Sequence, residues 1–159
     1  MSTPPGSAGP APDDATPPPT IDSRSGFADA VLWGLQAAAD RGARQVVCAS
    51  PDFDAWPLDD PAWQHALQAW LRRPARRLVL LAARFDEVPR RHPRFTRWRR
   101  DWVHAMATLA VPQALHADLP TLLVDDGPVL VHLADPLRWR GHAARDPAAA
   151  QAWRQTVDA

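Results

Sequence analysis

Two histidines bracket the stretch His116-Ala-Asp-Leu-Pro-Thr-Leu-Leu-Val-Asp-Asp-Gly-Pro-Val-Leu-Val-His132, which holds three aspartates. An imidazole takes or gives a proton near neutral pH, and a carboxylate can support it. His116 and His132 are therefore the catalytic candidates, although each also fits a hydrogen-bonded structural role. A second cluster is Ser50-Pro-Asp-Phe-Asp-Ala-Trp-Pro-Leu-Asp-Asp-Pro61, which follows an apolar run of strand length. Open α/β sheets place ligands beyond the carboxyl ends of their strands, so Asp52 and Asp54 are candidate ligand contacts. The same residues also suit local turns, because Asp bonds its own backbone readily. The third cluster is basic. From Arg72 to Arg100 there are 11 Arg against Asp86 and Glu87, a local charge of +9 (11 − 2), with Phe and Trp interleaved. Arg binds phosphate bidentately and aromatic rings stack on bases. Arg84, Arg90, Arg91 and His92 are the candidate ligand-binding residues here, with His104 beside them. The plainer reading is a solvated helix face paired with the Asp-rich loop.

Several chemistries are disfavoured at once. All 18 basic residues are Arg, so neither a Schiff base nor a Lys phosphate clamp can form. Codon bias toward Ala, Arg, Asp and Pro is the plain cause. No His pair has zinc spacing, and the Asp-rich loop lacks the Glu that closes a calcium loop, so no metal is expected. Gly is too sparse for either common nucleotide loop, so no cofactor is expected. Net formal charge is zero, which weighs against strong non-specific nucleic-acid binding. Cys48 is the one cysteine, set in an apolar run, which suits a reducing compartment. No apolar run approaches the roughly 18 residues of a membrane span, and the first residues do not read as a signal peptide. The expected location is cytoplasmic, with no membrane partner.

The elements that position these groups are legible from pattern. Residues 1–22, rich in Pro and Ala, are expected to form a disordered tail, and residues 23–159 one α/β domain. Ser23 or Ser25 caps a helix whose stripe is Phe27, Val31 and Leu35, ended by Arg41-Gly42. Gln45–Ser50 and Arg77–Ala83 read as buried strands. Asp60-Pro61 starts a helix carrying Trp63, Leu67, Trp70 and Leu71. Helix alternating with strand at these lengths implies a parallel sheet. A helix is expected from Pro93 to about Ala107, a short strand over Thr108–Pro112, and irregular chain from Leu115 to Pro120. Leu122–Val124 and Val129–Val131 flank an Asp125-Asp-Gly-Pro128 turn as a hairpin. Leu137–Gly141 is expected as loop, and Asp146-Pro147 starts a last helix with Trp153 and Val157 on its apolar face.

This order of elements, over about Phe27 to Val157, resembles one half of a phospholipase D superfamily unit. The Ser50-Pro51-Asp52 turn also resembles a group of short bacterial domains of unassigned function. In the enzymes of that superfamily two His-x-Lys-x-x-x-x-Asp motifs meet, one His attacking phosphorus and the other protonating the leaving group. At the matching positions this chain has Asp118 for the His and Pro120 for the Lys, and only Asp125 is kept, which the resemblance makes a third catalytic candidate in a supporting role. The resemblance thus implies a mixed sheet with flanking helices, a single half-unit, and a degenerate active site. It implies a non-catalytic module for a phosphate-bearing ligand, a nucleic acid or a partner enzyme. Because half-units pair, it also implies a homodimer. The alternative is a divergent phosphodiesterase that uses His116 or His132, with Arg replacing Lys.

Overall fold

The structure, a computed structural model, describes residues 16–158. Most of the expected tail, residues 1–15, lies outside the described residues. The rest of it packs on the domain: Ile21 is buried and bridges Gly141, and Thr16 O accepts hydrogen bonds from Trp33 Nε1 at 2.9 Å and Arg145 Nη2 at 3.2 Å.

Local chemistry sets the first helix, α1 (Arg24–Asp40). Ser23 Oγ accepts from Gly26 N at 2.9 Å. At the other end Gly42, at φ +80°, lets Ala43 N reach back to Ala38 O and its own N–H to Ala39 O. Gly adopts that φ without a Cβ penalty, so the last carbonyls of the helix are satisfied. Gly34 permits close approach to the sheet: a Cβ there would meet Val131 Cγ2 at 2.9 Å and Leu123 Cδ2 at 3.0 Å. The second helix, α2 (Pro61–Leu71), is capped by Asp60, whose side chain accepts from Ala62 N at 2.8 Å. Its Trp63, Leu67, Trp70 and Leu71 are all buried.

The sheet has six strands, β1 (Gln45–Ser50), β2 (Arg77–Ala82), β3 (Met106–Ala110), β4 (Leu122–Asp125), β5 (Val129–Asp135) and β6 (Arg140–Arg145), in the order β3-β2-β1-β4-β5-β6. β1, β2 and β3 are parallel; β4, β5 and β6 add on as antiparallel strands. The domain is therefore α/β with a mixed sheet and flanking helices. Alternation divides the core in two. Val46, Cys48, Leu78, Leu80, Leu123 and Val131 belong to the layer under α1 and α2. Val47, Ala49, Leu81, Leu122, Val124 and Leu130 belong to the layer under the last helix, α5 (Pro147–Asp158), which contributes Ala150, Trp153 and Val157. Among the described residues no helix is long and apolar enough to cross a membrane.

Three expectations are corrected. Beyond the one-turn α3 (Val88–Arg91), the helix from Pro93 does not run to Ala107. It is α4 (Pro93–Arg99), followed by a 3-10 turn, Arg100–Ala105, in which Trp102 leaves helical dihedrals at φ −124°, ψ 16°. β3 accordingly starts at Met106, because pairing with Leu78 on β2 captures that residue; partner contacts override helix periodicity. The Gln113–Asp118 segment is a 3-10 turn rather than irregular chain. The Leu137–Gly141 loop gives way at Arg140 to a sixth strand. Arg140-Gly-His-Ala-Ala-Arg145 has no β-branched residue, so only its ladder with β5 makes it a strand.

Candidate functional site

β1, β2 and β3 end side by side at Ser50, Ala82 and Ala110. Beyond them their loops are tied together. Pro51 O accepts from Ala83 N at 3.0 Å and Arg84 N at 3.1 Å, and Ala82 O accepts from Val111 N at 2.9 Å. Past Pro112 the chain turns back through the Gln113–Asp118 turn. His116 Nε2 donates to Val111 O at 2.9 Å; a carbonyl only accepts, so Nε2 carries the proton. A neutral His116 then has Nδ1 as an acceptor. Between these loops lies a cleft of about 550 Å³ lined by Pro51, Asp52, Ala83, Arg84, Gln113, His116 and Ala117.

The loop after β1 is fixed from several sides. Ser50 Oγ accepts from Phe53 N at 3.2 Å, and Asp52 Oδ1 accepts from Asp54 N at 3.0 Å. The buried His92 holds Phe53 O at 2.9 Å through Nε2. Phe53 itself is fully buried, packs on Trp56 at 5.0 Å and takes φ +59°. A bulky residue in the left-handed region costs about 1–3 kcal/mol and persists only where its surroundings over-determine it. The buried ring and the three hydrogen bonds do so here, and the result is a rigid mount for Asp52.

The Asp-rich loop is used up locally. Asp54 pairs with Arg91, Asp59 Oδ1 accepts from Phe95 N at 2.7 Å, and Asp60 caps α2. Arg91 is held above its ordinary value first by the Asp54 hydrogen bond. Arg90 pairs with Glu87. Of the candidate ligand-binding residues, Asp52 and Arg84 thus face the cleft. Asp54, Arg90 and Arg91 neutralise neighbours, and His92 is a structural pin. Arg84 makes no salt bridge among the described residues, nor do Asp52 and Arg84 pair with each other. The basic run divides in space: Arg72, Arg73, Arg76 and Arg77 sit at the amino end of β2, and Arg84 to Arg100 beyond its carboxyl end.

The catalytic candidates part company. His116 lines the cleft. His132 is on β5, half-buried against the Trp153 ring at 4.5 Å and the His142 ring at 5.9 Å. Burial first, and the charge of His142 second, lower its pKa from the ordinary 6.5. Asp125 lies at the opposite end of the sheet, paired with Val46 near the start of β1. Its carboxylate is fully engaged. Oδ1 accepts from Gly127 N at 2.8 Å and Val129 N at 3.0 Å, and Oδ2 accepts from Arg41 at 2.9 Å. It anchors the hairpin turn, and no hydrogen bond joins it to either histidine among the described residues. No three His, Cys, Asp or Glu side chains form a metal-ligand set among the described residues.

Sequence reasoning missed Gln113. The rule that sites follow the carboxyl ends of parallel strands points to it, but only once β3 is known to end at Ala110. The cleft can offer a cation at Arg84, acceptors at Asp52 and His116, and an amide at Gln113. Among the described residues His116 bonds Val111 O, and no hydrogen bond joins it to a carboxylate. No family model matches the chain, and no curated protein or solved structure matches it either.

Proposed function

We propose that this domain is a non-catalytic, phospholipase D-like module that binds a small phosphate-bearing ligand at the carboxyl ends of β1, β2 and β3. The observation that carries this reading is the unpaired Arg84 in the cleft with His116 and Asp52. A guanidinium free of internal carboxylates keeps its donors for an external anion. Asp52 and Gln113 then suit hydroxyl or amide donors on the rest of the ligand. We place the protein in the cytoplasm on the strength of its lone, buried Cys48.

A divergent phosphodiesterase has less support. It needs two groups on one phosphorus, and His132 is not among the residues lining the cleft with His116. Both readings are tested together. Inorganic phosphate and a short single-stranded oligonucleotide are titrated into wild type and Arg84→Ala, following chemical shifts of His116. Hydrolysis of a generic phosphodiester is measured for wild type, His116→Ala and His132→Ala. Saturable shifts at His116, weakened about 10-fold or more by Arg84→Ala, are expected, with hydrolysis at the buffer rate throughout. Binding that is absent, or unchanged in Arg84→Ala, overturns the proposal; turnover lost in a His variant installs the enzyme reading instead.

A further inference from the structure

The two edges of the sheet are finished differently. At β6 the edge carries Arg140, His142 and Arg145, and Ile21 bridges Gly141. Charge and cover of this kind keep an edge from pairing with another chain. At β3 neither device is present. The edge strand Met106-Ala-Thr-Leu-Ala110 has no charge and no Pro, and no acidic or Arg residue occurs from Trp102 to Ala117. On the outer side of β3 Met106 N donates to Val103 O, and no hydrogen bond reaches the backbone groups of Thr108 and Ala110 among the described residues. Three of the four exposed large apolar side chains of the described residues also cluster around this strand. Val103 (60% exposed) precedes it, Leu109 (53%) is in it, and Leu115 (46%) follows it.

We infer that the free edge of β3 pairs antiparallel with the β3 of a second copy of this chain, continuing the sheet across a two-fold axis. The strand is self-complementary in that arrangement. A two-fold centred on Thr108 sets Ala107 opposite Leu109 of the second copy on one face, small against large, and Met106 opposite Ala110 on the other. No like charges meet along the strand. At each end the approach to β3, with Arg99 and Arg100, comes beside the other copy's departing chain, which carries Asp118. None of these three has a salt bridge within its own chain among the described residues. Opposite charges therefore flank an apolar centre. An isologous contact of this kind closes at two copies. It also brings the second copy's Arg100 and His104 toward the Gln113–Asp118 turn, one wall of the cleft.

The full chain is tested by light scattering after size exclusion, loaded from about 1 to about 200 μM, a span suited to a small interface with micromolar affinity. Wild type is expected to approach twice 17.5 kDa with rising concentration. Leu109→Arg is expected to stay at 17.5 kDa with an unchanged circular dichroism spectrum, since Leu109 is exposed in the single chain. As a second measurement, a Leu109→Cys variant treated with a short bismaleimide is expected to cross-link into a dimer. Cys48 does not compete, because it is buried and burial raises its thiol pKa. Wild type at 17.5 kDa throughout, a dimer that survives Leu109→Arg, or mass that grows beyond two copies overturns the inference.

Discussion

Replacing Asp125 tests whether this carboxylate is a structural anchor or part of a site. Its side chain is fully buried and takes three hydrogen bonds, two of them from backbone N–H groups across the hairpin turn. In Asp125→Ala those two donors lose their acceptor. A buried donor left unpaired costs about 1–3 kcal/mol; Val129 is fully buried and Gly127 is not, so the pair costs about 3 kcal/mol. The Arg41 guanidinium adds little. It is 38% exposed and keeps Asp126 Oδ1 at 2.9 Å, so solvent and its second partner hold this part to about 0.5 kcal/mol. The expected loss is about 3–4 kcal/mol, a large share of the roughly 5–15 kcal/mol that a domain has. Asp125→Asn keeps one oxygen for the two N–H groups but turns an amide N–H₂ toward Arg41, for about 1–2 kcal/mol. Urea unfolding followed by Trp fluorescence gives both values, provided the slopes match wild type. Phosphate binding at the cleft is expected to persist in both variants. An Ala variant as stable as wild type refutes the anchoring role. So does an Asn variant that loses as much as Ala, and so does cleft binding lost with stability intact.

At Gly141 a Cβ would clash with His132 O and come within 2.9 Å of Leu133 Cα. Backbone cannot yield as a side chain does, so Gly141→Ala should cost about 3 kcal/mol in urea unfolding, and a loss under about 1 kcal/mol would contradict the register of β5 and β6. His132 gives a pH signature. Its folded pKa is lowered, so between the two values the unfolded chain binds more protons. Its share of stability is present above the ordinary 6.5 and is lost as pH falls through the folded value. The melting temperature should drop from about pH 7.5 to about pH 5.5, and drop less in His132→Phe; an identical drop in both would remove His132 as the source. Asp126 acts in the acid range. Burial raises its pKa, but the hydrogen bonds of Arg41 and the Arg44 N–H outweigh this and leave it below the ordinary value. Its stabilisation is present above about pH 4 and lost below, so Asp126→Asn should flatten that part of the stability curve; an unflattened curve counts against it.

Wherever a short-range rule had a sufficient cause within a few residues, the sequence by itself determined the outcome. Ser23, Asp60-Pro61 and Gly42 set helix ends because caps act over three or four residues. Gln45–Ser50 was legible as a strand buried on both faces because continuous apolar character suits the middle of a sheet. The hairpin at Asp125-Asp126-Gly127-Pro128 was legible because its turn chemistry lies between two apolar runs. Tertiary structure decided what depends on partners distant in sequence. β6 exists because β5 offers it a ladder, and Met106 left its expected helix because β2 did the same. The site followed the same division. Asp52 was readable from its place after β1, but its company was not: Arg84 and His116 arrive from the ends of β2 and β3, 32 and 64 residues further on (84 − 52, 116 − 52). Asp125, which only the family resemblance marked as a catalytic remnant, is engaged by its own turn and by Arg41, a partner 84 residues away. A sequence shows which groups are available. Only the folded chain shows which of them are already spent on one another, because a hydrogen bond or ion pair between distant residues leaves no periodic trace.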